Sequence, residues 1–356
     1  MIRDGVPLAP FTTLELGGPA RHFVEAADEA AVVEALRWAD GRKLPVALLG
    51  GGSNVVVSDA GFDGLLIRVA TRGLQFETSG GDAIVTAAAG EPWDALVAQA
   101  VGRGLGGVEC LSGIPGLVGA TPIQNVGAYG QEVAETIRSV RVLERGTWQV
   151  RALSPEDCGF DYRESNFKRE PTRFVVLAVS FGLRPDAAPA LRYRELAESL
   201  AGDHAGKTPP TLADTRAAVL ALRAKKSMLV TAGDPNRRSV GSFFTNPTVA
   251  AAEAAVVAMR AGDAGAGMPR WPAGDGRVKL SAGWLIERAG VAKGLRRGPV
   301  GVSSAHALAL VHHGGGTTAA LIALAREICE AVRTRFGVTL VPEPNFVGTA
   351  WNLASG

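Results

Sequence analysis

SGIPGLVGATPIQNVGAYG, residues 112–130, follows neither the 3.6-residue period of a helix nor the alternation of a strand. It closes a longer glycine-rich run, 102–130, that also holds Pro115 and Pro122. A run of that length without regular structure inside a domain is uncommon and usually functional. Ile114, Leu117, Val118, Ile123 and Val126 are threaded between the glycines, which a loose surface loop would not need. The expectation is a packed loop with free backbone amides. Its small residues would leave room for a bulky planar ligand, and Gln124 and Asn125 could address ring heteroatoms. Upstream, Gly50-Gly51-Gly52-Ser53-Asn54 follows directly on an apolar run at 45–49 that reads as a short buried strand. Glycines there let the backbone approach a ligand and turn successive N–H groups into an anion nest. A tight strand-to-strand turn explains the same residues equally well. GRGLGG at 102–107 matches G-x-G-x-x-G on paper, but it follows a helix pattern and opens none, so no dinucleotide fingerprint is read there.

Working outward from these loops, the first half alternates strand and helix signals. Strands are expected at 21–26, 45–49, 55–57, 65–69, 84–88, 139–143 and 173–181. Asp28 is placed to cap a helix through Trp38, with Val32, Val33 and Leu36 on one face and Gly41 beyond its end. A second helix is expected at 93–101. Composition breaks at 184–190 and again near 202–210, where the domain boundary is placed. The C-terminal part reads as helix-rich, with helices at 211–225, 249–260 and 282–289. The longest is expected at 317–336, where Leu321, Leu324, Ile328 and Val332 form a core stripe that Gly337 ends. The fold class is α+β, with no internal repeat.

The chain has 356 residues, enough for two or three domains. Its 37 Lys and Arg balance 35 Asp and Glu, which gives no support to a nucleic-acid-binding surface. Any anionic partner should be small and locally held. Cys110, Cys158 and Cys329 are scattered and form no C-x-x-C pair, which suits a reducing compartment. Residues 1–11 hold no apolar h-region, so no signal peptide is read. No apolar run approaches the roughly 18 residues of a membrane span. The expected location is the cytoplasm. The five histidines have no H-x-x-x-H spacing, and no metal is expected.

Three further segments complete a pattern: DYRESNFK at 161–168, GSFFTNP at 241–247 and LVPEPNFVG at 340–348. With the two glycine loops, they resemble the UDP-N-acetylenolpyruvoylglucosamine reductase family over about 12–348. The resemblance implies a vanillyl-alcohol-oxidase-like (PCMH-type) FAD-binding domain at 12–184, in two lobes of about 12–70 and 71–184. It also implies a smaller α+β substrate domain at 206–349. The implied activity is UDP-N-acetylmuramate dehydrogenase: NADPH reduces FAD, and hydride passes to the enolpyruvyl ether of UDP-N-acetylglucosamine. A flavin oxidase of the same fold, passing electrons to oxygen, is the alternative.

Site residues follow from the same resemblance. Gly50, Gly51, Gly52, Ser53, Asn54, Gly113, Ile114, Pro115, Gly116, Gly119, Ala120, Gln124, Asn125, Gly127 and Ala128 would hold the flavin. Arg163 would be the catalytic arginine, its fork matched to a carboxylate whose charge grows as hydride arrives. By residue type alone, an exposed Arg paired with Glu164 or Asp161 is the favoured reading. Ser242 would donate the proton, although a turn serine before a buried Phe-Phe pair reads the same way. Glu343 would act beside the substrate carboxylate, where a solvated charge is the ordinary alternative. Pro344-Asn345 stands where the family often has valine and arginine, so no substrate contact is carried over to position 345. Tyr129, Tyr193, Lys226, Asn246 and His306 would bind substrate, with Tyr193 on a loop over the diphosphate. Lys226 near a helix end is otherwise a dipole partner, and His306 a core-edge residue. A monomer is expected.

Overall fold

The computed structural model describes residues 1–79, 81–203 and 209–351. The break expected near 202–210, and with it the start of the 206–349 domain, falls largely outside these residues. Two compact units result, and neither is one continuous block. One holds Met1–Arg3, Phe23–Gly51 and Gly64–Lys225; the other holds Asp4–His22, Gly52–Asp63 and the chain from Lys226 on. Gly50-Gly51 therefore belongs to the first unit, and Gly52-Ser53-Asn54 to the second.

In the first unit, Asp28 caps the helix Glu29–Asp40 by accepting the Ala31 N–H at 2.7 Å. Val32, Ala35, Leu36 and Ala39 form its buried face and share a core with Leu65, Ile67, Leu143 and Leu177. The strand Val46–Leu49 pairs in parallel with Phe62–Val69. A larger antiparallel sheet runs in the order Gln149–Leu153, Ile137–Glu144, Phe174–Pro185, Asp82–Ala88, Leu74–Ser79. Ala83, Val85 and Ala87 alternate inward along one strand and meet Trp93, Leu96, Val97 and Ala100 of the helix Trp93–Gly102. The indole of Trp93 is buried and donates to the Leu111 carbonyl at 3.0 Å, so that helix grips the glycine-rich run. The run, expected to lack regular structure, is instead built of short pieces. A strand at Leu105–Gly106 pairs with the end of Phe174–Pro185, and three-residue 3-10 turns form at Glu109–Leu111 and Val118–Ala120.

The second unit combines the expected helices with two sheets whose strands were not individually expected. Ser239–Ser242, Ala309–His312, Val300–Val302 and Arg296–Arg297 form one antiparallel sheet; Thr248–Ala250, Arg277–Leu280 and Arg270–Pro272 form another. The helix expected from residue 249 starts at Ala251, because Thr248, Val249 and Ala250 pair with Lys279, Val278 and Arg277. The long helix Thr318–Phe336 matches its stripe: Leu321, Leu324, Ile328 and Val332 are buried. Its start is doubly capped, by the Thr317 hydroxyl and by Asp59, which accepts the Thr318 and Ala319 amides at 2.7 and 2.8 Å. Gly337 ends it at φ +74°.

Candidate active site

In the first unit the two glycine loops close on each other. A Cβ at Gly51 would lie 2.9 Å from the Gly116 Cα, and one at Gly50 would touch Leu117. The segment 89–94 then laces the second loop in place. Trp93 N–H donates to the Gly116 carbonyl, Val118 N–H to Glu91, and Gly119 N–H to Ala89, at 3.1, 2.8 and 2.9 Å. A Cβ at Gly119 would sit 2.5 Å from that of Ala89. The loop is packed, as expected, but its amides at Gly113, Val118, Gly119, Ala120 and Asn125 are not free: each has an acceptor within the protein. Ile114, Ile123, Val126 and Ala128 lean on the core, while Pro115 and Ala120 face outward.

Asp94 was not among the residues that motif reading selects, yet it anchors this loop. Its carboxylate accepts the Gly113 amide at 2.6 Å and the Arg216 fork at 2.6 and 2.8 Å. Burial pushes its carboxyl upward, but the Arg216 hydrogen bonds, the Gly113 amide and the charges of Arg216 and Arg223 outweigh this and hold it below the ordinary value.

Arg163 sits at φ +56° in a tight turn where Asp161 and Glu164 exchange backbone hydrogen bonds. That conformation is uncommon for a residue with a side chain and is often found at functional sites. It is not the exposed Arg of the simpler reading. Glu164 pairs instead with Lys168 and Arg169, while the half-buried guanidinium donates to the carbonyls of Asn125 and Gly127. Asn125 holds its own carbonyl in position at φ +42° with a fully buried side chain, whose amide donates to Glu132 and Asp161 and whose oxygen accepts from Ala134. The Asn125 carboxamide is thus engaged with protein groups rather than turned toward a ring. Gln124 is half-buried beside it. Tyr129 and Tyr193 meet edge to face with centroids 5.4 Å apart. Burial pushes the Tyr129 phenol up to about 12, against the pull of Arg223.

The second unit gathers another set. Ser242 lies opposite Ala309, Phe243 N–H donates to Leu308 at 2.7 Å, and the Phe243 carbonyl accepts the Glu343 N–H at 2.9 Å. Glu343, in an irregular segment, is therefore joined through its backbone to the residue that follows Ser242. Buried Phe243 and Phe244 stack edge to face beneath them, 5.1 Å between centroids. Asn54, of the same unit, joins this group, its carbonyl accepting from Asn345 at 3.0 Å and its amide reaching the Glu343 carbonyl at 3.5 Å. The strands Val55–Val57 and Asn345–Val347 continue that contact in parallel. Gly52, at φ +66°, admits no other residue, since a Cβ would fall 1.9 Å from the Phe11 carbonyl. Ser53 follows it, half-buried. Gly52's own carbonyl accepts from Thr13, whose hydroxyl also meets Ser239.

His306 lies in the turn before the strand opposite Ser242. Its Nδ1 accepts from the Leu308 N–H at 3.1 Å, which in the neutral ring puts the proton on Nε2. The Asn246 side-chain oxygen accepts the Ala282 N–H at 2.9 Å at the start of the helix Ala282–Arg288, leaving its NH2 as the group open to other acceptors. Lys226 follows the helix Leu212–Lys225 and is half-buried. Among the described residues no cluster of metal-binding side chains occurs, and no helix is long and apolar enough to cross a membrane.

A chain from Saccharopolyspora erythraea named UDP-N-acetylenolpyruvoylglucosamine reductase is 51% identical over 97% of this chain and 96% of its own length. The chain belongs to the UDP-N-acetylenolpyruvoylglucosamine reductase family. The reductase of Streptomyces coelicolor is 50% identical over 97% of this chain and 90% of its own. The family model for the C-terminal domain of this reductase matches residues 234–347, and an FAD binding domain model matches 20–150. The crystal structure of the reductase from Thermus caldophilus superposes with a TM-score of 0.66 at 26% identity, covering 98% of this chain and all of that one. The reductase family assignment carries with it the α+β flavoprotein fold, and FAD as the cofactor. The residues present fit a flavin. Gly113 and Ala120 leave small, partly or fully exposed positions along the loop, while Ile114, Val118, Ile123 and Val126 turn into the core.

Proposed function

We propose that the chain reduces UDP-N-acetylglucosamine enolpyruvate to UDP-N-acetylmuramate with NADPH, in the cytoplasmic synthesis of peptidoglycan precursors, and acts as a monomer. The observation that supports this reading best is that Glu343 is joined to the residue following Ser242, by the 2.9 Å bond from Glu343 N–H to the Phe243 carbonyl. Bound FAD supplies the hydride exchange between nicotinamide and enol ether. In this reading residues 12–184 provide the flavin module and 206–349 the substrate module.

The protein's own part is to stabilise growing charge and to deliver one proton. Arg163 is suited to the first task, because its turn and two carbonyl acceptors fix the guanidinium before substrate arrives. Ser242 hands its proton to the carbon beside the substrate carboxylate. A hydroxyl suffices there because an enolate-like acceptor is strongly basic. Glu343, held by its backbone to Phe243 and Asn54, orients that carboxylate region. Tyr193 and Tyr129, with Lys226, Asn246 and His306, receive the UDP-sugar. Gly50 to Asn54 and the 113–128 loop receive the flavin.

The test is Ser242→Ala, followed in single turnover. Reduction of the flavin by NADPH should stay within about twofold of wild type, while its reoxidation by the UDP-sugar should fall by roughly 10² or more. A Ser242→Ala enzyme that reoxidises at the wild-type rate would remove Ser242 from the mechanism.

A further inference from the structure

Glu109 is among the most deeply buried acids of the chain, 1% exposed, and the chemistry above does not use it. One carboxylate oxygen accepts the Gly107 amide at 2.7 Å. The other accepts the Ala190 amide at 2.9 Å and the Gln131 side-chain NH2 at 3.3 Å. Gln131 in turn accepts the Cys110 N–H at 2.9 Å, and the Cys110 thiol donates to the Ala190 carbonyl at 3.2 Å. Both backbone groups of Ala190 are thus held by two consecutive residues, Glu109 and Cys110.

Ala190 is the root of the segment that carries Tyr193. Three residues on, Tyr193 stands edge-on to Tyr129, and Arg192 reaches the Gly130 carbonyl at 3.4 Å and Glu135 at 2.9 Å. Gly130, at φ +78°, lets the two segments touch, for a Cβ there would lie 3.0 Å from that of Arg192. Gln131 pairs with Ala128 across the turn that bears Tyr129 and Gly130. Glu109 therefore bonds to both sides of the tyrosine pair, at the root of one segment and the flank of the other. Beneath them Cys110, Leu196, Leu200, Ala218 and Val219 form a separate small core against which Tyr129, Ala190 and Leu191 pack.

We propose that Glu109 is a positioning residue for UDP-sugar binding: its buried carboxylate sets where Tyr193 stands relative to Tyr129. The inference rests on the reading of Tyr193 and Tyr129 as substrate contacts. A carboxylate suits the place because it only accepts, and every partner it meets here is an N–H donor. A glutamine would turn an NH2 group toward one of those donors and lose at least one bond. The partners are backbone amides and one carboxamide, so the site needs no cation to be satisfied.

The test uses Glu109→Gln as the FAD-loaded full chain, measuring the two half-reactions separately and binding of UDP-N-acetylmuramate by calorimetry. KM for the UDP-enolpyruvyl sugar and Kd for the product should both rise about tenfold, with flavin reduction by NADPH within about twofold of wild type. In a Tyr193→Ala background the same substitution should add less than about twofold, because both changes remove one positioned contact. Effects that multiply in the double variant, or a parallel loss in the NADPH half-reaction, would overturn the proposal. Should Glu109→Gln fail to fold, Cys110→Ala removes the thiol contact on Ala190, and one sulfur from the small core, while leaving the Glu109 bonds in place. It should give a smaller rise in KM with the same failure to add to Tyr193→Ala, and multiplying effects there would again overturn it. Wild-type reduced flavin that the sugar does not reoxidise would defeat the functional reading, and this inference with it. That outcome is recognised before any variant is made.

Discussion

A side chain at Arg163 accepts φ +56° and gains a guanidinium fixed by two carbonyls, while glycine at 51 and 52 accepts nothing else. The two kinds of position are constrained differently. At Arg163 the surrounding bonds from Ser165 to Ile123 and from Lys168 to the Arg163 carbonyl over-determine the turn. At Gly51 the constraint is steric, and Gly51→Ala should cost about 1–3 kcal/mol as its methyl forces the Gly116 backbone away. Because the same shift opens the loop pair, the variant should also purify with a lower flavin-to-protein absorbance ratio, which a spectrum of the isolated protein checks. Full flavin content with an unchanged melting temperature would show that the two loops are not held in contact at that point. The motif singled out Arg163, but its structural partners were not legible. The Asn125 and Gly127 carbonyls lie far along the chain, and no local pattern announces a backbone acceptor.

At the level of elements, the pair of helices Trp93–Gly102 and Leu212–Lys225 is clamped by Asp94 and Arg216, and the clamp also holds Gly113. The Asp94 carboxyl is held below its ordinary 3.8, so the stabilisation it provides is fully present above that value. It is lost as pH falls through the lower, folded-state value. Asp94 is 39% exposed, so water screens the pair, and Asp94→Asn should cost only about 1 kcal/mol at neutral pH. Urea unfolding should show that difference at pH 7 and show it vanishing as the solution is acidified below the ordinary aspartate range. A difference that persists in strong acid would mean the charge is not what matters. Legibility at this scale followed locality. The Asp28 cap, the Gly337 stop and the Leu321 to Val332 stripe all lie within a few residues of what they control, and each was readable. The strands Leu74–Ser79 and Gln149–Leu153 sit near the sheet margin with mixed polarity, so no apolar run marked them. The strand Thr248–Ala250 was read as helix because its partner, Arg277–Leu280, supplies the pairing from elsewhere. Asp94 and Glu109 were invisible for the same reason, since each binds groups that only the fold brings near.

For the whole molecule, the family signature at the glycine loops and at 241–247 and 340–348 was sufficient to name the flavoprotein class from sequence. The discontinuous make-up of the second unit was not legible there, because residues 4–22 and 52–63 join it through contacts such as Thr13 to Ser239. The three cysteines are buried as free thiols, and burial pushes each up to about 12. All three should therefore resist a thiol reagent in the native protein at neutral pH and react together on denaturation. Fast labelling of even one in the folded enzyme would place that cysteine at the surface. The central claim is that this chain carries electrons from NADPH to a UDP-enolpyruvyl sugar through FAD. It is tested most directly by the visible spectrum of the purified protein, followed without oxygen through addition of NADPH and then of the sugar. The account predicts flavin bands that bleach with NADPH and return in full with the sugar. Bands that bleach but return only when oxygen is admitted would contradict it in favour of an oxidase, and a protein that cannot be loaded with FAD would contradict it outright.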